Sequence, residues 1–104
     1  MSRIGAFVVS GSGSGIGLAI AERLIQDGHS VYGLGRDRAK LLKVSESLPK
    51  GKFVFSACDL ADPKASHAAI LEIRDWLGER KLPLLGLVNN AGVFDRIAFH
   101  LTSD

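Results

Sequence analysis

Short unbroken apolar runs alternate along this chain with segments in which apolar residues recur every three to four positions. The first run, Ile4 to Ser10, contains Phe7-Val8-Val9 and predicts a buried strand. A glycine–serine stretch, Gly11 to Gly17, follows it. Ile16, Ile20 and Leu24 then recur at i+4, with Leu18, Ala21 and Ile25 widening the apolar face of a helix. Gly28 stands at the C′ position, where a positive φ favours glycine. Ser30 to Gly35 predicts a second strand through Val31, Tyr32 and Leu34. Asp37 caps a second helix that runs to about Leu48 on Leu41, Leu42 and Val44, and Pro49 and Gly51 break it. Phe53 to Cys58 is a third strand. Asp62-Pro63 is an N-cap with proline at N1. The helix behind it carries Ala69, Ile70, Ile73, Trp76 and Leu77 to about Glu79. Pro83 leads into a fourth strand, Leu84 to Asn89. Ala91 to Asp104 reads as a loop whose end, Thr102 to Asp104, suits the cap of another helix.

Short apolar strands alternating with amphipathic helices predict an α/β fold, Rossmann-like, with a parallel sheet of about four strands and helices on both faces. Right-handed crossovers and the usual switch between halves give the strand order 3-2-1-4. That is the first half of a doubly wound fold, a truncated one at 104 residues.

Composition narrows the class without changing this picture. Hydrophobic residues make up 46% and charged residues 23%, which fits one globular domain over 1–104 rather than a disordered or fibrous chain. Thirteen basic against eleven acidic residues leave a net charge of +2, too small for a nucleic-acid-binding surface. No apolar run approaches the roughly 20 residues that span a bilayer, so no membrane contact is expected. The single cysteine, Cys58, cannot form an intramolecular disulfide and reads as a small buried hydrophobe. A reducing, cytoplasmic location follows from that. His29, His67 and His100 are scattered, without metal-ligand spacing. Trp76 and the phenylalanines read as core.

The glycine loop is the first chemical signal. It falls at the carboxyl end of the first strand, where open α/β sheets bind ligands. Gly11 lets the chain turn, Gly15 lets a phosphate approach the backbone, and Gly17 permits close helix–strand packing. The helix start supplies free N–H groups and a positive dipole end, and Ser12 and Ser14 can add hydroxyl donors. The spacing is G-x-x-x-G-x-G through Gly11, Gly15 and Gly17, not G-x-G-x-x-G, and no Gly-Lys-Ser/Thr follows to make a P-loop.

With these residues the chain resembles the short-chain dehydrogenase/reductase family over nearly its whole length. Ser10-Gly-Ser-Gly-Ser-Gly-Ile-Gly17 is similar to the family's Thr-Gly-x-x-x-Gly-Ile-Gly. Asp59-Leu-Ala-Asp62 resembles the Asp-x-x-Asp after its third strand, and Val88-Asn-Asn-Ala-Gly92 its Asn-Asn-Ala-Gly. The resemblance implies a nicotinamide dinucleotide as partner. Its pyrophosphate would lie on Gly11, Ser12, Gly13, Ser14, Gly15, Ile16 and Gly17. Asp59 would accept from the adenine amino group, with the Leu60 N–H nearby. Asn90, Ala91 and Gly92 would line the adenosine ribose, while Asn89 ties strands together.

Arg36 bears on the choice of cofactor. NAD-preferring sites place a carboxylate at the end of the second strand for the ribose 2′-OH. In the family's register Gly35 takes that place and Arg36 follows, as in NADP-preferring members, where a guanidinium can bind a 2′-phosphate through two hydrogen bonds. NADP is therefore the expected cofactor, and NAD the less expected one. Many such members carry a second basic residue just before the middle glycine, where this chain has Ser14. Shifting the register by two would present Asp37 instead.

The resemblance also implies what is absent. Family members use a Ser, an Asn and a Tyr-x-x-x-Lys pair, the lysine lowering the tyrosine pKa for general acid/base work. The one tyrosine here is Tyr32, inside a predicted strand, so no catalytic residue is assigned. The expectation is the NADP(H)-binding portion of an oxidoreductase moving hydride between nicotinamide and a carbonyl or alcohol, without the catalytic half. It would be either the first part of a longer gene or a shortened relative. A non-enzymatic nucleotide-binding or regulatory module is the alternative, and a site for another adenosine ligand, such as S-adenosylmethionine, a third. The Leu84–Asn89 strand should lie at an open sheet edge and promote self-association, unless Val93 to Asp104 folds back over it.

Overall fold

The computed structural model describes residues 3–13 and 15–89. Seven elements alternate along them: β1 (Ala6–Ser10), α1 (Gly15–Gln26), β2 (Ser30–Gly35), α2 (Arg38–Ser47), β3 (Phe53–Ala57), α3 (Pro63–Arg80) and β4 (Leu84–Val88). The strands form one parallel sheet in the order β3-β2-β1-β4, as the alternation predicted.

Chirality explains the layering. Two right-handed crossovers carry the chain outward from β1 to β3, and α1 and α2 therefore share one face. The third crossover returns past β2 and β1 to β4, so right-handedness sends α3 over the other face. Two cores result. Val9, Val31 and Phe53 pack with Ala21, Ile25, Leu41 and Val44 on the α1/α2 side. Ala6, Val8, Tyr32 and Leu34 pack with Ala69, Ile70, Ile73 and Trp76 on the α3 side. Successive residues of β1 and β2 serve opposite cores, as a pleated strand buried on both faces requires.

Local chemistry sets the helix ends. The Asp37 carboxylate accepts from the Lys40 N–H and caps α2, and the Asp62 carboxylate accepts from the Lys64 N–H ahead of Pro63. Gly28 ends α1 at φ 98°, its N–H donating to the Ile25 carbonyl while the His29 N–H donates to that of Leu24. The cap of α3 is not a glycine. Lys81 adopts the left-handed conformation instead, at φ 54°, with Leu82 N–H returning to the Leu77 carbonyl.

Four expectations need correction. Leu42 does not share the packed side of α2: Leu41 and Val44 are buried there, and Leu42, a step of about 100° from Leu41, is exposed. The first strand begins at Ala6, not Ile4, because Gly5 lies so close to β4 that a Cβ would meet the Pro83 carbonyl at 2.7 Å. Ile16 is not on the packed face of α1. That face is Gly17, Ala21 and Ile25, and Ile16, one step of about 100° away, is 71% exposed. Cys58 is half-buried rather than buried, since β3 ends at Ala57 and the thiol falls on the rim beyond it.

Candidate functional site

Each of β1, β2 and β3 ends in a connection that climbs over the carboxyl edge of the sheet, and the three connections enclose one cleft of about 440 Å3. Gly11 and Gly13 come from the loop after β1. Leu34, Gly35, Arg36 and Asp37 come from the end of β2, with Lys40 and Leu41 from the first turn of α2. Cys58, Asp59, Leu60 and Ala61 come from the turn after β3. The floor is tied by backbone hydrogen bonds from Gly11 N–H to the Leu34 carbonyl (2.8 Å) and from Cys58 N–H to the Gly35 carbonyl (2.7 Å).

The glycine loop shows two different sides. Gly15 opens α1 at φ 62°, a backbone that side-chain-bearing residues rarely adopt, and nothing lies within 4 Å of where its Cβ would be. A helix start leaves N–H groups without intrahelical partners, and such groups in open space are the chemistry that favours an anion. Gly17, two residues on, is buried against the sheet. Ser12 points the other way. It is fully buried, and a Cβ on Gly33 would collide with its Oγ, so it lies beneath the loop against β2. That Oγ finds no hydrogen-bond partner among the described residues. Ser14, which falls in the same loop, lies outside the described residues, as do Asn90, Ala91 and Gly92.

Across the cleft, Arg36 Nη2 stands 4.0 Å from Asp59 Oδ2, both side chains largely open to solvent. The second carboxylate oxygen of Asp59 accepts from the Ala61 N–H at 3.0 Å, an Asx turn that aims the carboxylate over the cleft. Leu60 is anchored below by Ser66, whose hydroxyl donates to the Leu60 carbonyl at 2.6 Å. The strand register bears on Arg36. Gly35 is the last paired residue of β2, opposite Ala57, so Arg36 is the first side chain past the strand end. Asp37 is engaged as the cap of α2.

Two wall residues escaped the sequence reading. The sequence pattern singles out nothing at Lys40, yet its Cβ lies 3.4 Å from where a Gly13 Cβ would be, which puts its stem against the glycine-loop side of the cleft. The available signal was its place three residues after the capping Asp37. Cys58 also lines the wall. Burial, then the charges of Glu72 and Asp59, push its thiol pKa up, so it stays protonated and unreactive at neutral pH.

Tyr32 takes no part in the cleft. It is buried against Trp76, and its hydroxyl contacts Ser56 and donates to Glu72 Oε2 at 3.1 Å. Ser56 donates to the same oxygen at 2.7 Å. Burial pushes the Tyr32 pKa up to about 12, the Glu72 charge adding to it. A phenol so held is a structural strut and not a general acid.

The short chain dehydrogenase family model matches residues 6–104. The uncharacterized oxidoreductase DltE of Bacillus subtilis is 34% identical over 92 residues, covering 88% of this chain and 34% of that protein. Serine 3-dehydrogenase of Rhizobium radiobacter is 35% identical over 89 residues, 86% of this chain and 34% of that protein. The chain thus spans about a third of the length of these relatives. Among solved structures, L-sorbose reductase of Gluconobacter frateurii, complexed with NADPH and L-sorbose, superposes with a TM-score of 0.76 at 27% identity, covering 93% of this chain and 44% of that one. Among the described residues, no helix is long and apolar enough to cross a membrane.

Proposed function

The chain belongs to the short-chain dehydrogenase family, and on that footing we propose that it is the NADP(H)-binding portion of a cytoplasmic oxidoreductase acting on a carbonyl or alcohol. One observation carries the cofactor half of this reading. The first side chain beyond β2 is a guanidinium facing the cleft, where a carboxylate would repel a 2′-phosphate. NADPH is also the cofactor in the L-sorbose reductase complex.

The residues present fit a dinucleotide. Gly11 and Gly13 face the cleft without side chains, and α1 begins at Gly15 with open space where a Cβ would stand. The backbone of Gly11 to Gly17 would hold the pyrophosphate, with Ser12 seating the loop from below. Asp59 would accept from the adenine amino group beside Leu60, and Arg36 would bind the 2′-phosphate. The bound cofactor supplies the hydride. What this chain contributes is binding and orientation: the Asx turn at Asp59 and the strand end at Gly35 hold the adenosine end in one place. The proton-transfer groups and the substrate pocket are assigned to no residue of this chain.

Titration with NADPH and NADH, followed by nicotinamide fluorescence, tests the reading. NADPH should bind more tightly. Arg36→Ala should weaken NADPH about 10-fold or more, the worth of a charge-assisted contact, and leave NADH nearly unchanged. Equal loss for both cofactors would remove the 2′-phosphate assignment.

A further inference from the structure

The turn after β3 is held from behind by a hydroxyl in the core. The packed face of α3 is Ser66, Ala69, Ile70, Ile73 and Trp76, and Ser66 is its one hydroxyl, fully buried. A hydroxyl in such a place is costly unless it is paired. Its partner is the Leu60 carbonyl, to which it donates at 2.6 Å. The same peptide group carries the Ala61 N–H, which donates to Asp59 Oδ1 at 3.0 Å. A peptide group is planar. Fixing the direction of the Leu60 carbonyl therefore fixes that of the Ala61 N–H, and with it the Asp59 carboxylate. Two backbone bonds close the turn onto α3, from the Asp62 N–H to the Asp59 carbonyl (3.0 Å) and from the Ser66 N–H to the Asp62 carbonyl (2.9 Å). Asp59 Oδ2, which the turn leaves free, faces Arg36 over the cleft. Ser66 itself lies behind the cleft wall and not on it.

We propose that Ser66 is a positioning residue for base selection: through the Leu60–Ala61 peptide it holds Asp59 so that the cleft takes adenine and rejects a 6-oxo purine. This rests on the reading of Asp59 above. A carboxylate only accepts. Held in place it suits the 6-amino group of adenine and repels the 6-oxo group of hypoxanthine. Left loose, it could swing to the N1–H that hypoxanthine also carries. A fixed acceptor discriminates between the two bases, and a mobile one adapts to both.

The test measures dissociation constants, by nicotinamide fluorescence, for NADPH and for its analogue with hypoxanthine in place of adenine. The unsubstituted chain should prefer adenine about 10-fold or more, the worth of a hydrogen bond to a charged group, and Asp59→Ala should remove that preference. Ser66→Ala should cut the preference about 3–10-fold, the worth of one neutral hydrogen bond, chiefly through weaker NADPH. Ile73→Val is the control, a truncation on the same buried face of α3. It should lower the urea midpoint and leave the preference unchanged. Equal loss for both dinucleotides in Ser66→Ala, or no loss, would make the hydroxyl a purely structural bond and overturn the proposal. So would an equal shift in preference from Ile73→Val. If the unsubstituted chain does not tell the two bases apart, or Asp59→Ala keeps the preference, the reading of Asp59 fails first and this one with it.

Discussion

Adding a single methyl group at Gly33 tests how the glycine loop is seated. Gly33 lies in the middle of β2, paired with Val9 on one side and Phe55 on the other. Its Cβ would collide with Ser12 Oγ and meet the Phe53 ring at 2.5 and 2.8 Å. Neither neighbour can retreat: Phe53 belongs to the α1/α2 core and Ser12 is fully buried. Overpacking of this kind costs about 1–3 kcal/mol. Loss of glycine's freedom in the unfolded chain returns about 0.4–1 kcal/mol. Gly33→Ala should therefore destabilise by about 1–2 kcal/mol, lowering Tm by about 5–15 °C in a domain of this size. Because Ser12 sits under the loop, NADPH and NADH should both weaken. Ser12→Ala alone removes a buried hydroxyl without a partner and should be neutral or stabilising. In the Gly33→Ala background it should recover part of the loss, a coupling of about 0.5 kcal/mol or more. Urea denaturation of the four variants reads all of this. A Gly33→Ala chain as stable as its parent, or strictly additive substitutions, would show that Ser12 does not rest on β2.

Gly15→Val should abolish measurable dinucleotide binding in a folded chain, because it forces a β-branched residue to φ 62° where the anion meets the helix start; unchanged affinity in a titration would place the cofactor elsewhere. Tyr32 gives a pH dependence. Its pKa is raised from 10.0 to about 12 in the folded state, so its contribution is complete below about pH 10 and is lost as pH rises from there to about 12. Phenolate absorbance in native and denatured chains should titrate two units apart, and coincident curves would refute the buried strut. The chain should self-associate at micromolar concentration through β4, which pairs with β1 on one side only among the described residues. Light scattering showing a monomer would mean that this edge is covered.

The elements themselves were legible because their signals are local. Apolar runs, the Asp37 and Asp62 carboxylates and Gly28 each act on backbone within four residues, and apart from the start of β1 they appear where the pattern puts them. Strand order followed from right-handed crossovers together with the usual switch between the halves of a doubly wound sheet. The helix end at Lys81 was not legible, because nothing in its own chemistry asks for a left-handed backbone; the returning hydrogen bonds to Gly78 and Leu77 hold it there. The direction of Ser12 was equally hidden. In the sequence it is one of two serines in a polar loop, and only the absence of a side chain at Gly33, on a different strand, makes room for it underneath. Ile16 shows the reverse: an apolar residue in helical register that the sheet never reaches, because Gly17 and Ala21 bring α1 in on a neighbouring line. Lys40 and Cys58 join the cleft for the same kind of reason. A residue's period along its own element says which way it faces relative to that element, whereas a cleft wall depends on how far three separate connections rise above one sheet edge. Packing between elements decides that, and no single segment of the sequence carries it.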